Sequence, residues 1–185
     1  IGQSTTLSGR TIVKHMSAEV NKVITGEYDH VGKAMIYGDT DSCYFSAYPV
    51  LKDDIDKGNI PWDKDNVITL YDQVCEQANT TFPQFMLDAF HCPRSRSDVI
   101  AAAREIVAET GLFITKKRYA ALVYDIEGFR SDSDGKRGKV KAMGLDLKRS
   151  DTPVFMQDFL KDLLDMVLDK KPEKELLDAI SEFRK

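Results

Sequence analysis

The chain has 185 residues, 42% of them hydrophobic and 30% charged, and a net charge of −4. That length allows one sizeable core, or a core with a small appendage. It excludes a membrane-spanning class, since no apolar run approaches the ~20 residues a spanning helix needs, and the opening IGQSTTLSGR has neither the basic nor the apolar region of a secretory signal. The start at Ile1 rather than Met reads as a piece of a longer protein or a processed product. Cys43, Cys75 and Cys92 are widely spaced and form no C-x-x-C pair, which argues against a zinc site and for a reducing, intracellular compartment. His15, His30 and His91 are scattered and suggest no cluster. The negative total argues against a nucleic-acid partner, but the charge is unevenly spread. Residues 116–149 hold ten Lys/Arg against five acids, a basic stripe on an acidic remainder.

In chain order, Ile12, Val13, Met16, Val20, Val23 and Ile24 recur at three- and four-residue spacing and predict a helix over Thr5–Gly26, with Ser4 or Thr5 as cap and Gly26 as terminator. After a polar connection, Ala34–Tyr48 (AMIYGDTDSCYFSAY) reads as two short strands joined by a tight turn at Gly38–Asp41. Lys52–Asp65 is expected to be a charged loop in which Trp62 is an anchor. Asn66–Phe90 is helical, with a break or restart at Pro83. Cys92–Ser97 is a basic, turn-like loop. The alanines of Asp98–Glu109 favour helix by propensity. Leu112–Phe129 carries strong strand signals interrupted by Lys116, Lys117 and Arg118. Ser131–Gly138 is a polar hairpin tip; Lys139, Lys141, Lys148 and Arg149 continue the basic stripe. Thr152 and Pro153 are the expected cap and first residue of an amphipathic helix over Val154–Leu168, whose apolar face is Phe155, Phe159, Leu163 and Val167. Pro172 opens a last helix, with Leu176, Leu177, Ile180 and Phe183 on a face lacking an evident partner.

Two places carry chemistry. Asp39 and Asp41 lie two positions apart, which in extended backbone points both carboxylates to one side. Like charges held that close repel, and a divalent cation relieves the repulsion; Mg²⁺ takes hard oxygens, usually one or two carboxylates together with substrate phosphates. A Gly-Asp turn with surface acids is also ordinary turn chemistry. The second place is the Lys116–Lys117–Arg118 step. Such a triplet is commonly a solvated face, but apolar strand residues flank it on both sides, so it sits on a rigid sheet, from which it can bind phosphates or reach minor-groove acceptors.

The hexapeptide Tyr37-Gly38-Asp39-Thr40-Asp41-Ser42 resembles motif C of family B DNA polymerases. Lys116-Lys117-Arg118-Tyr119-Ala120 resembles that family's KKRY motif, and Lys141-Ala142-Met143-Gly144-Leu145-Asp146 through Thr152-Pro153 resembles a K-x-M-G-L-E…S-T-P stretch of its T-even-type phage members. The three matches come in the family's order and span Tyr37 to Pro153; the opening helix resembles the segment that follows the family's fingers, so the resemblance covers nearly the whole chain. The resemblance implies an α+β fold: an antiparallel palm sheet with helices packed on one face, followed by the first helices of a thumb. It implies a partial palm over 1–150 and a truncated thumb over 151–185. It also favours a strand, not a helix, through Arg104–Ala108.

For function, the resemblance implies two-metal nucleotidyl transfer that extends a primer on a DNA template. Asp41 is the expected catalytic metal ligand and Asp39 lies near the metals. Glu105 matches an acid that would hold a metal-bound water indirectly; it otherwise reads as an exposed salt-bridge partner of Arg104 or a lysine. Lys116, Lys117, Arg118, Tyr119 and Lys141 are the expected DNA contacts. Mg²⁺ is the implied cofactor; primer-template DNA and a dNTP are the implied partners. The expected location is the cytoplasm of an infected bacterial host. The family's other metal-binding Asp, in motif A, and the fingers helix that grips the triphosphate precede the region resembled. The chain is therefore expected to need an N-terminal polymerase portion and to be inactive alone. The alternative is a non-catalytic, polymerase-derived DNA-binding module.

Overall fold

A computed structural model describes residues 2–145, 147 and 151–184; Asp146, Lys148 and Arg149 of the motif and stripe read above lie outside the described residues. The chain divides into two compact units, Ile1–Arg104 and Glu105–Lys185. The class is α+β, and every strand pair is antiparallel.

The first unit opens with helix α1 (Gly2–Thr25). The helix is already formed at Ser4 and Thr5, so neither is its cap. Its end is as expected: Gly26 takes φ +85, where a side chain would be strained, and its N–H reaches the Lys22 carbonyl at 2.8 Å. Strands β1 (Met35–Gly38) and β2 (Cys43–Phe45) form the hairpin. Gly38 is the last strand residue rather than part of the bend.

The chain then departs from the sequence reading. Helix α2 occupies Tyr48–Asp56, through the end of the expected second strand and into the expected charged loop. The reason is Pro49: it sits in the first turn, where its missing N–H costs nothing and its fixed φ favours helix. Trp62 does anchor the remaining loop, its ring 5.6 Å from that of Tyr48. Helix α3 (Lys64–Asn79) is capped by Asp63, which accepts from the amides of Asp65 and Asn66. Helix α4 (Phe82–Phe90) restarts with Pro83 in its first turn, as its position predicts. Val20, Val74 and Ala78 form the unit's core, with Val23, Ile24, Met35 and Phe45 packed around them, so α1, α3 and the hairpin share one apolar centre.

Residues 98–105 form no helix despite their alanines. The second unit is a sheet of β3 (Ile106–Thr115), β4 (Arg118–Ile126), the short β5 (Phe129–Arg130) and β6 (Lys139–Met143); β4 pairs with each of the others. Ala120 and Leu122 of β4 pack on Leu164 and Leu168 of helix α5 (Val154–Leu168), with Leu112 and Val140 alongside. The face α5 gives to the sheet is thus one step round from the predicted Phe155–Val167 stripe. Phe159 of that stripe instead stacks on Phe183 of helix α6 (Glu173–Phe183), the rings 3.9 Å apart, so the α6 face does have a partner. Pro153, in extended conformation, is itself the cap residue of α5, and Thr152 stands one place outside it.

Candidate functional site

The hairpin of the first unit is held from below by one side chain. Asn21 of α1 is 0% exposed. Its Oδ1 accepts from the Ala34 amide at 3.1 Å, and its Nδ2 donates to the Glu27 carbonyl at 2.8 Å and to Thr25 Oγ1 at 3.0 Å. Gly32 passes so close that a Cβ there would overlap the Asn21 amide. The connection leading into β1 is therefore pinned at both ends. At the other end of the hairpin, the Asp39 amide donates to the Ser42 carbonyl at 2.9 Å and closes a bend with Thr40 and Asp41 at its tip.

The two carboxylates sit in that bend, not in extended backbone, so strand alternation does not set their directions. Their surroundings differ. Asp39 is held by its own loop: Oδ1 accepts from the Thr40 amide at 2.8 Å and from Thr40 Oγ1 at 3.2 Å, and Oδ2 accepts from the Tyr37 hydroxyl at 3.4 Å. Asp41 is exposed and forms no hydrogen bond or ion pair with another described residue. As a donor set the pair fits a hard cation: one carboxylate is oriented by three donors, the other is open. Among the described residues no group of three or more His, Cys, Asp or Glu side chains could hold a metal ion, so the fit extends to these two carboxylates and no further. Beneath the bend, burial pushes the Cys43 thiol up to about 11 and keeps it out of acid–base chemistry near neutrality.

In the second unit Lys116 and Lys117 are the two-residue turn between β3 and β4, with Thr115 paired to Arg118 across it. Lys117 stands at φ +61. Two-residue hairpin turns favour such left-handed backbone, usually supplied by Gly or Asn; here a lysine takes it. Arg118 opens β4. Tyr119 is only 4% exposed, its ring stacked on Phe113 at 5.5 Å. Its ring thus braces the turn from within the unit.

The basic stripe is partly neutralised by the unit's own acids. Lys141 pairs with Glu105 at 2.6 Å, the exposed salt bridge allowed for that acid. Arg130 pairs with Asp132 at 2.7 Å. Arg137 pairs with Asp165 at 3.0 Å and Asp169 at 2.9 Å on α5. Burial works against the charge of Arg137, but the hydrogen bonds it donates to the two aspartates outweigh it and favour the charged guanidinium. Lys116, Arg118 and Lys139 form no ion pair with another described residue. Two of these, Lys116 and Arg118, lie at the turn, and Lys139 opens β6. Arg104 pairs with Asp72 of α3, within the first unit.

Residues 100–185 match the family model of DNA polymerase family B. That match takes in a little under half of the chain and is a likeness to DNA polymerase family B. The chain is also 26% identical, over 173 residues, to a DNA-directed DNA polymerase of Escherichia phage RB69; the match covers 88% of this chain and 18% of that protein. It is 24% identical over 183 residues to DNA polymerase 037L of Invertebrate iridescent virus 6, which covers 98% of this chain and 13% of that protein. The chain thus spans under a fifth of either relative's length. No helix among the described residues is long and apolar enough to cross a membrane.

Reading the sequence missed Asn21, which a helical periodicity treats as one more polar position. The signal for it was weak: an Asn one turn before a helix-ending glycine, with Gly32 beyond the loop. It also read Gly144 only as one position of the motif that begins at Lys141.

Proposed function

We propose that this chain contributes the motif C hairpin and the primer-template contacts of a family B, DNA-directed DNA polymerase. The palm runs over 1–150 and the thumb begins at 151. The observation that carries the reading is the coincidence of the family match with Lys116 and Arg118, which form no ion pair with another described residue, at the two-residue turn between β3 and β4.

In this reading Asp41 and Asp39 hold Mg²⁺, with Asp41 as direct ligand and Asp39 oriented by Thr40 and Tyr37. Bound there, the metals lower the barrier to attack of the primer 3′ hydroxyl and to departure of pyrophosphate. Lys116, Lys117 and Arg118 bind backbone phosphates. Tyr119 keeps the turn in place through its stack on Phe113. Lys141 reaches DNA only by loosening its pair with Glu105. Glu105 then becomes available to hold a metal-bound water. The remaining metal-binding aspartate and the triphosphate grip are supplied by an N-terminal polymerase portion, and the complex works in the host cytoplasm.

The test is reconstitution with a polypeptide carrying motif A and the fingers, assayed by primer extension with Mg²⁺. Asp41→Ala is expected to abolish extension and leave primer-template binding intact. Extension at the wild-type rate by Asp41→Ala would remove the catalytic assignment. Binding that ignores salt concentration would remove the DNA-binding assignment.

A further inference from the structure

The cationic turn is seated on a residue outside its own hairpin. Gly144 follows β6 directly beyond Met143, which pairs with Tyr119. It takes φ +63, and Lys117 takes φ +61. A Cβ built at Gly144 would overlap the Lys117 carbonyl oxygen and lie 3.0 Å from its carbon and 3.1 Å from Arg118 Cγ. The backbone of Lys117 therefore occupies the space that any other residue at 144 would need.

We propose that Gly144 is a positioning residue for the Lys116–Lys117–Arg118 turn: lacking a side chain, it lets the Lys117 carbonyl seat against the end of β6, and this seat sets the direction in which the cations meet a phosphate backbone. The inference rests on the reading of that turn as DNA-binding. Left-handed backbone is disfavoured for a lysine, so Lys117 keeps it only while its surroundings hold it there. Two features hold it: the pairing of Thr115 with Arg118 that closes the turn, and the close approach of Gly144 to the Lys117 carbonyl. If the seat is filled, the peptide after Lys117 must turn, and the side chains on either side of it turn too. A long cation preset in direction loses less freedom on binding than a loose one.

The experiment measures binding of the 185-residue chain to a primer-template duplex by fluorescence anisotropy at several salt concentrations, with circular dichroism to confirm folding. For each phosphate that the protein no longer neutralises, the slope of log affinity against log salt falls by about 0.9. Gly144→Ala is expected to lower the slope by about 2, so that affinity changes roughly tenfold less between 50 and 200 mM salt. Gly144→Asn is expected to do the same, because asparagine accepts left-handed backbone but still brings a Cβ. A wild-type slope in either variant, while Lys117→Ala lowers it, overturns the role of Gly144 and leaves DNA binding by the turn standing. A wild-type chain with no salt dependence overturns both. If the Gly144 variants do not fold, Lys117→Gly is compared with Lys117→Gly/Gly144→Ala, in which the carbonyl is free to swing aside. A lower slope in the double variant supports the seat, and equal slopes overturn it.

Discussion

Replacing Asn21 by alanine is the sharpest test of what holds the hairpin in place. The substitution removes one acceptor and two donated hydrogen bonds. The partners are not equally exposed. Glu27 is exposed, so water can satisfy its carbonyl, and Thr25 keeps its own bond to the Asn21 carbonyl at 2.8 Å. Ala34 is 1% exposed, and its amide is left buried without an acceptor. That orphaned donor costs about 1–3 kcal/mol, and the net loss of the other bonds adds ~1 kcal/mol, for a total of about 2–4 kcal/mol. With a urea m-value of ~2 kcal/mol/M, the midpoint falls by about 1–2 M at unchanged m. Amide exchange at Ala34 and Met35 should quicken along with it. Asn21→Asp keeps the acceptor but buries a charge and turns the Glu27 interaction repulsive, so it should destabilise more at pH 7 than at pH 4. A stability for Asn21→Ala within about 0.5 kcal/mol of wild type would refute the claim that this side chain pins the connection.

Other outcomes follow from the same structure. His15 is buried, hydrogen-bonded at both nitrogens to Tyr28 and Thr81 and stacked on Phe85; burial lowers its pKa, with Glu19 opposing and Lys22 adding to the shift. Its stabilising share is therefore complete above the unfolded value of about 6.5 and is lost as pH falls below it, since the unfolded chain takes up a proton that the folded site resists. Urea midpoints between pH 7.5 and 5.5 should fall more steeply for wild type than for His15→Gln; parallel curves would contradict this. Arg137→Ala severs both pairs to α5, and since these groups are about a third exposed the loss should be only about 1 kcal/mol, shrinking further in high salt. Cys43 should resist iodoacetamide at pH 8 until the first unit unfolds, because its thiol ionises only at about 11; rapid labelling in the native chain would show that the burial is wrong.

The strand-and-turn chemistry was legible in the sequence because it is local. The hairpin around Asp39 and Asp41, the helix end at Gly26 and the restart at Pro83 each follow from residues a few positions apart. The alanine-rich run before β3 misleads for the opposite reason: helix propensity is a weak prior, and the distant Asn79 bonds both the Ala102 amide at 2.7 Å and the Ala102 carbonyl at 2.9 Å. Pro49, next to the expected end of the second strand, stands instead in the first turn of α2. Of the pairings of cations with acids, only that of Glu105 with a lysine was among the sequence readings. Nothing local says that Arg137 is matched by Asp165 and Asp169 while Arg118 is left open. The same holds for Gly144, whose need to be glycine arises from a carbonyl 27 positions earlier.

Trp62 is the only tryptophan in the chain, and it rests on Tyr48 inside the first unit. Its intrinsic fluorescence is thus a built-in optical probe of Ile1–Arg104 alone. Far-ultraviolet dichroism, which sums over all helices and strands, reports both units together. Recording the two signals during one melt separates loss of the hairpin unit from loss of the lysine-bearing sheet, with no label attached.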